Sequence, residues 1–520
     1  MRIGVDVGGT NTDAVLMDGS MVVAATKTPT TADVEGGIAT AIRAILVQAR
    51  CDPQTLDAVM IGTTHFTNAF VERRRLSRIG VIRLGYPATT AIPPLYGWPR
   101  ELLLQVAGGQ AILPGGTEYN GQPISRFDPE KVAAAARGFG EAGLSAVAIS
   151  SVFAPLSRVQ EEEAAQIVRD VLPGAGVSLS ADFGRLGLLE RENAAAMNAS
   201  LLMLAEHTIK AFTQSLRQLR ITAPLFISQN DGTLMSAERA ARLPVLTFAS
   251  GPTNSIRGAS LLAGIDEAIV IDIGGTTTDV GYLQKGFPRE SSLTADIGGV
   301  RTNFRMPDLI SLAIGGGTIV KGEVGAIQLG PHSVGYGISR EARVFGGPIL
   351  TTTDIAVASG LGQIGDPAHL AGLDADFVKA ALYAIRKGVE AGIERIKLSA
   401  APIPAVLVGG GSLIIGEELD GVSALIKPAH YAVANAVGAA IAQIGGETDE
   451  YVAYDRIGRN QAIADATASA KAKAVEAGAR PDSVQLIELE ELPVAYLAGG
   501  ITRIRARVVG DKALLSPADR

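Results

Sequence analysis

The chain of 520 residues contains a single cysteine, Cys51, which excludes an internal disulfide and a thiolate metal cluster. Aromatic residues make up only 5 % of it, with one tryptophan, Trp98. No long basic run and no interleaving of basic with aromatic residues occurs, so nucleic-acid binding is not expected. The densest basic stretch, Glu72-Arg73-Arg74-Arg75, reads as a solvated helix face more readily than as a substrate-side patch. No uninterrupted apolar run of about 18 residues is present, so no membrane span is expected. The chain enters a strand at once through Arg2-Ile3-Gly4-Val5, without the charged and apolar regions of a leader, and a soluble, cytoplasmic protein is expected. No pair of histidines has helical metal spacing, which leaves a tight transition-metal site without support. The Gly-x4-Gly-Lys-(Ser/Thr) loop, the Gly-x-Gly-x-x-Gly dinucleotide turn, His-Glu-x-x-His, Gly-x-Ser-x-Gly and Cys-x-x-Cys are all missing.

What is present is apolar and small. The apolar fraction is 47 %, the charged fraction 19 %, the net charge −7, and there are 61 glycines. This is a globular profile long enough for roughly three domains. Its Ala, Val, Ile and Gly suit parallel strands covered by closely packed helices.

One internal repeat organises the chain. Asp6-Val7-Gly8-Gly9-Thr10-Asn11-Thr12-Asp13 returns as Asp272-Ile273-Gly274-Gly275-Thr276-Thr277-Thr278-Asp279. Each copy lies between two short apolar runs, which predicts strand, glycine turn, strand, and the wide separation marks duplicated domains. Between the copies a strand is expected at 147–153, then a helix at 157–171 whose Glu161, Glu162 and Glu163 complement its dipole. Further on, Asp374 is placed to cap a helix running to about Ala391. A strand is expected at 405–408 and an alanine-rich helix at about 429–443. A final helix at 460–476 is followed by strands at 484–489 and 501–509, which pair across Gly499-Gly500 as a small closing subdomain. The expected fold is α/β, with lobes over residues 1–180 and 181–447 and an α+β subdomain over 448–520.

Paired glycines let a turn present backbone N–H groups to an anion, and adjacent threonine hydroxyls add donors. Aspartates in such a turn become useful when Mg²⁺, held through its waters, stands between them and phosphate. The repeat therefore nominates Gly8, Gly9, Thr10, Thr12, Gly274, Gly275, Thr276 and Thr277 for phosphate, and Asp6, Asp13, Asp272 and Asp279 for the metal. A strand running into Gly409-Gly410-Gly411-Ser412 supplies a turn able to admit adenosine against bare backbone.

Two phosphate turns and a glycine-rich adenosine turn, in this order, resemble the actin, sugar-kinase and heat-shock-chaperone ATPases. More narrowly, the chain is similar to the hydantoinase A/5-oxoprolinase family. The likeness rests on Gly62-Thr63-Thr64-His65-Phe66-Thr67-Asn68-Ala69, Leu186-Gly187-Leu188-Leu189-Glu190-Arg191, Ser228-Gln229-Asn230-Asp231-Gly232-Thr233, Ser250-Gly251-Pro252, Gly315-Gly316-Gly317-Thr318, Thr352-Thr353-Asp354 and the stretch 492–497. It implies duplicated ribonuclease-H-like, actin-type lobes around an ATP cleft, and ATP- and Mg²⁺-dependent opening of a cyclic amide. It also implies a second hydantoinase-type subunit and a homo- or hetero-oligomer; an ATP-dependent carboxylase subunit and a non-catalytic ATP switch are the alternatives.

Under the same resemblance Asp272 stands beside the γ-phosphate, or serves the metal alone, and Asp6 assists it. Thr64 and Asn68 face the amide, and His65 is a structural residue before it is a substrate contact. Arg191 pairs a carboxylate or imide oxygen and Glu190 is available as a base, unless the two form an interlobe salt bridge. Two departures stand out. Family members carry about 150 further C-terminal residues. The region from Tyr86 to Gln105 departs from the usual pattern and is expected to shape substrate choice.

Overall fold

In the computed structural model, which describes residues 1–8, 11–29, 34–183, 186–291, 294–494 and 500–513, both repeat copies form strand, turn and strand. β1 (Arg2–Val7) and β2 (Asn11–Asp18) are antiparallel, β3 (Met21–Pro29) continues the meander, and β4 (Ala58–Thr63) lies parallel to β1. A parallel sheet is inserted next, comprising β5 (Ile79–Tyr86), β6 (Ala107–Pro114), β7 (Ala146–Ser151) and β8 (Gly176–Leu179) in the order β6-β5-β7-β8. The chain then returns through β9 (Leu225–Ser228), parallel to β4, and β10 (Leu234–Ser236). The first lobe thus reads β3-β2-β1-β4-β9.

The second copy builds the same unit. β11 (Ala268–Ile273), β12 (Thr278–Gln284) and β13 (Phe287–Pro288) form the meander. Two hairpins follow, β14 (Ala295–Ile297) with β15 (Val300–Thr302), and, after β16 (Leu309–Leu312) has paired with β12, β17 (Thr318–Lys321) with β18 (Gln328–Ser333). β19 (Ile403–Val408) and β20 (Val422–Ile426) complete the order β13-β12-β11-β19-β20, again with the last two parallel to the first strand of the copy. β1 and β4 are buried almost throughout, and β19 over its last four residues, because helices cover both faces of these sheets.

The helices used below are α1 (Val34–Ala49), α2 (His65–Val71), α3 (Val159–Val171), α4 (Leu188–Gln218), α5 (Ser250–Ala263), α6 (Ala375–Ile396), α7 (Ala434–Ile441) and α8 (Arg459–Glu476). Asp374 caps α6 by accepting from the Phe377 N–H at 3.0 Å. The helix expected at 429–443 is shorter than its alanine content suggested, because His430 takes the left-handed conformation and a 3-10 turn precedes α7.

Strand pairing divides the chain differently from the bounds 1–180, 181–447 and 448–520. β9 and β10, from beyond the insertion, supply the outer strands of the first lobe. β21 (Ile444–Ala453), β22 (Gln485–Pro493) and β23 (Ile501–Gly510) extend that same sheet, since β21 pairs with β10. β22 and β23 pair as expected, although residues 495–499 of their connection lie outside the described residues. α8 packs on this extension through Ala462, Ala466, Ala470 and Ala474, one turn apart. A Cβ at Gly446 would lie 2.3 Å from the Ala470 carbonyl oxygen, so the helix sits directly on the strand backbone.

Two features join the lobes. α5 packs Ile256 and Ala259 against the second sheet, and α7 packs Ala436, Val437 and Ala440 against the first. The helices meet main chain to main chain: a Cβ at Gly258 would lie 1.9 Å from the Ala434 oxygen, and one at Gly438 1.8 Å from the Asn254 oxygen. Elsewhere the β14–β15 hairpin reaches over the first lobe. A Cβ at Gly299 would lie 2.7 Å from Pro99 Cγ, and the Phe304 ring stands edge-on to Phe248 at 5.9 Å. At the base of this strap Arg305 pairs with Glu447 and Asp449, while Glu290 pairs with Arg505 and Arg507.

Candidate active site

Both repeat turns have one geometry. The Gly8 N–H donates to the Asn11 oxygen at 3.0 Å, and the Gly274 N–H to the Thr277 oxygen at 2.9 Å. The ladder sets Asp6 opposite Asp13 and Asp272 opposite Asp279. Gly9 and Thr10 lie outside the described residues. Thr276 and Thr277 are exposed, and Thr12 is buried. The second turn is backed by another glycine segment: Gly316 and Gly317 donate to the Gly274 and Gly275 oxygens at 3.0 and 2.7 Å. Thr352 and Thr353 hydroxyls hold the Gly316 carbonyl in turn, which gives the Thr352-Thr353 pair a scaffolding role.

Glycines press the end of β4 and the loop after β19 onto these aspartates. A Cβ at Gly62 would lie 2.3 Å from Asp6 Oδ1, and one at Gly409, where φ is +87°, would lie 2.2 Å from Asp272 Oδ1. Gly411 donates to the Ile273 oxygen at 2.7 Å. Ser412 turns its hydroxyl inward, to the Val408 and Gly409 oxygens at 2.6 Å each, so the adenosine turn offers backbone there and no serine hydroxyl.

The carboxylates are held by residues that carry no motif. Asn254 donates to Asp6 Oδ1 at 3.1 Å; Asn435 donates to Asp6 Oδ2 at 3.1 Å and to Asp13 Oδ2 at 3.0 Å. Ser255 donates to Asp272 Oδ2 at 2.5 Å and Ser311 to Asp279. Lys27 reaches Asp13 at 2.5 Å. Burial pushes Asp6 up to about 6, with Asp13 and Asp272 adding repulsion against its amide donors. Burial pushes Asp279 up to about 6 too, and raises Asp13 and Asp272. Among the described residues no three acidic or histidine side chains converge as direct ligands of one ion. The set fits Mg²⁺ in one way: an ion that keeps its waters and phosphate oxygens, with the carboxylates accepting from those waters.

Thr64, His65 and Asn68 lie beside this cluster at the start of α2. The Thr64 methyl would be 3.5 Å from a Cβ at Gly251, which itself would lie 3.8 Å from Asp6 Oδ2, and Asn68 donates to the Thr64 hydroxyl at 3.4 Å. His65 is half-buried, and burial together with Arg75 lowers its pKa, so it is neutral at pH 7.

Glu190 and Arg191 stand elsewhere. Arg191 is fully buried and spends its donors on Ser180 Oγ (2.9 Å) and on the Ser151 (2.5 Å), Leu186 (2.9 Å) and Gly187 (3.2 Å) oxygens. Ser180 in turn donates to Glu161 at 2.6 Å, so Glu161, assigned from sequence to the dipole of α3, is instead the buried countercharge of Arg191. Arg191 is a strut between α4 and the inserted sheet. Glu190 Oε2 lies against Gly187, where a Cβ would approach it to 2.8 Å. Trp98, from the divergent 86–105 region, is also structural: it is buried against Phe70 and donates to Asn193 at 2.8 Å.

Two ribonuclease-H-like sheets of one strand order, joined by crossing helices and facing each other through equivalent aspartate-bracketed turns, define a duplicated, actin-type cleft protein. Residues 2–172 match the hydantoinase/oxoprolinase N-terminal region and residues 191–396 match hydantoinase/oxoprolinase. The chain belongs to the hydantoinase/oxoprolinase family.

Caprolactamase subunit alpha of Pseudomonas jessenii is 28 % identical over 470 residues, covering 84 % of this chain and 65 % of the relative. Acetophenone carboxylase gamma subunit of Aromatoleum aromaticum is 25 % identical over 398 residues, covering 69 % and 53 %. The chain therefore spans between about half and two-thirds of these relatives. The crystal structure of the ATP-dependent caprolactamase from Pseudomonas jessenii superposes with a TM-score of 0.76 at 19 % identity, covering 99 % of this chain and 88 % of that one. Nucleotide-free acetone carboxylase gives 0.69 at 17 %, covering 100 % and 88 %. Both share the fold.

Proposed function

We propose that the protein uses ATP and Mg²⁺ to open a cyclic amide, as the nucleotide-binding subunit of a two-subunit enzyme. The observation that carries this reading is the convergence of Asp6, Asp13 and Asp272 between the two glycine turns, in a chain similar to a caprolactamase subunit. An amide carbonyl is a poor electrophile. Transfer of the terminal phosphoryl group of ATP to its oxygen releases ADP and makes the carbon attackable. One water then adds as the C–N bond breaks and the ring amine leaves; a second releases phosphate from the acyl phosphate.

Mg²⁺, when bound, neutralises charge on the phosphates. The chain contributes position: the two repeat turns toward phosphate oxygens, through N–H groups other than those of Gly8 and Gly274, which the turns themselves use, and Asp6, Asp13 and Asp279 toward metal-bound water. Asp272 stands beside the transferred group, held by Ser255, while Gly409 to Gly411 lie along the adenosine side. In this reading Thr64 and Asn68, next to Gly251 and to each other, face the amide. Glu190 and Arg191 have no part in this reading.

The similarity to acetophenone carboxylase gamma subunit supports a second reading, in which the same cleft activates a carboxyl group. ADP release from the purified chain, alone and with its second subunit, separates the two. Stimulation by a hydantoin, 5-oxoproline or caprolactam supports ring opening; stimulation only by bicarbonate with a ketone supports carboxylation. ATP turnover indifferent to all of these counts against both.

A further inference from the structure

The internal repeat provides its own control. Asp13 and Asp279 hold the same ladder position in their lobes, yet their surroundings differ. In the second lobe β13 is only two residues long, and the strand beside Asp279 is β16, whose Ser311 donates to it. In the first lobe β3 is full length and sets Lys27 opposite Asp13. A bulge between Leu16 and Met17 decides this pairing: counted back from the tight turn without it, Thr26 would oppose Asp13.

Lys27 is thus the charged partner of one member of a cluster whose other members are held by amides and hydroxyls. Its ammonium also reaches the opposite lobe. A Cβ at Gly410 would lie 3.9 Å from both Lys27 Cε and Nζ, and the Lys27 charge acts on Asp272. The side chain is one-third exposed, so its tip can move. A flexible ammonium that meets an acidic partner from one wall and a glycine turn from the other is suited to a point anion entering between them.

We propose that Lys27 is a polyphosphate-binding residue, poised across the cleft, which exchanges Asp13 for oxygens of the terminal phosphates when nucleotide enters. This rests on the ATP reading above. The exchange also frees the Asp13 carboxylate to accept from metal-bound water, so one movement serves both ligands.

Removing Lys27 alone strands a buried carboxylate, so the decisive comparison is Asp13→Asn with Asp13→Asn/Lys27→Met, which share a neutral residue at position 13 and differ only in the Lys27 ammonium. Titration of the full chain with ATP, ADP and AMP by calorimetry, in EDTA, leaves metal out of the comparison. The double variant is expected to bind ATP at least about tenfold more weakly than Asp13→Asn, as loss of a charge-assisted contact implies. AMP affinity should be equal in the two, and Asp13→Asn/Lys27→Arg should recover most of the ATP affinity. If Lys27 only neutralises Asp13, the two backgrounds bind ATP equally, and the proposal is overturned while the nucleotide reading stands. A wild-type chain that binds none of the three nucleotides overturns both.

Discussion

Asn254 and Ser255 are consecutive residues of α5, and they hold equivalent aspartates of different lobes: Asn254 donates to Asp6 and Ser255 to Asp272. Successive helical side chains diverge by about 100°, so one turn of one helix sets the spacing between the two carboxylates. Asn254→Ala leaves the buried Asp6 Oδ1 without its donor, at about 1–3 kcal/mol. Ser255→Ala does the same to Asp272. ATP hydrolysis should fall in both variants, with the larger fall in kcat and not in KM. Unchanged kcat in Ser255→Ala would remove Ser255 from the positioning of Asp272.

Asp272→Asn keeps shape and removes charge. ATP hydrolysis should drop by about 10²–10³-fold, the scale of losing one preorganised electrostatic group. Far-UV circular dichroism should not change. Wild-type hydrolysis in this variant would refute the assignment of the phosphate turns.

Alanine at Gly62 meets Asp6 and Asn254, and alanine at Gly409 meets Asp272 and the Ile273 carbonyl on a left-handed backbone. Both variants should lose nucleotide binding. Gly19→Ala is the control: its φ is +56° but nothing lies within 4 Å of the new Cβ, so it should cost only about 1 kcal/mol and leave binding intact.

The folded chain ionises Asp6 and Asp279 at about 6, against 3.8 for the ordinary side chain. A raised folded-state pKa means that protonation favours the fold. That stability is fully present below about 4 and is lost as pH rises through about 6. Without nucleotide, the urea midpoint should fall across this interval. Mg²⁺-ATP affinity should rise across it, because the cation selects the ionised carboxylates. Asp6→Asn/Asp279→Asn should flatten the stability slope; an unaltered slope would place its origin in other groups.

Arg191→Met removes one partner of a buried pair and should cost about 3–5 kcal/mol. Arg191→Met/Glu161→Gln should recover part of that loss. If Arg191 instead bound substrate, the double variant would regain stability and still fail to respond to any cyclic amide, which kinetics on the refolded protein will resolve.

Much of the site was legible because the repeat states it twice. The turns, the facing aspartates and the strand leading into Gly409 follow from local pattern, as does the Asp374 cap. Pairings across long stretches of chain were not. β9 joins β4 only after the inserted sheet and α4 have intervened, and no local signal in Leu225–Ser228 names its neighbour. Asn254 and Asn435 sit in ordinary helical sequence, and only the crossing of α5 with α7 turns them onto Asp6. Lys27 was concealed by a bulge. Arg191 was hidden for a different reason: a charged residue in a recognisable stretch suggests an exposed site, whereas this guanidinium is buried and donates to Ser180, Ser151, Leu186 and Gly187 inside the fold.

The strap formed by β14 and β15 bears on how the molecule can move. The lobes are attached at the α5–α7 contact, at the seat of the hairpin against Phe70, Pro99 and Phe248, and at the ion pairs of Arg305 with Glu447 and Asp449 and of Glu290 with Arg505 and Arg507. A body held at several separated contacts has no single free axis, so Asp6 and Asp272 behave as fixed posts whose separation changes only if one of these contacts breaks.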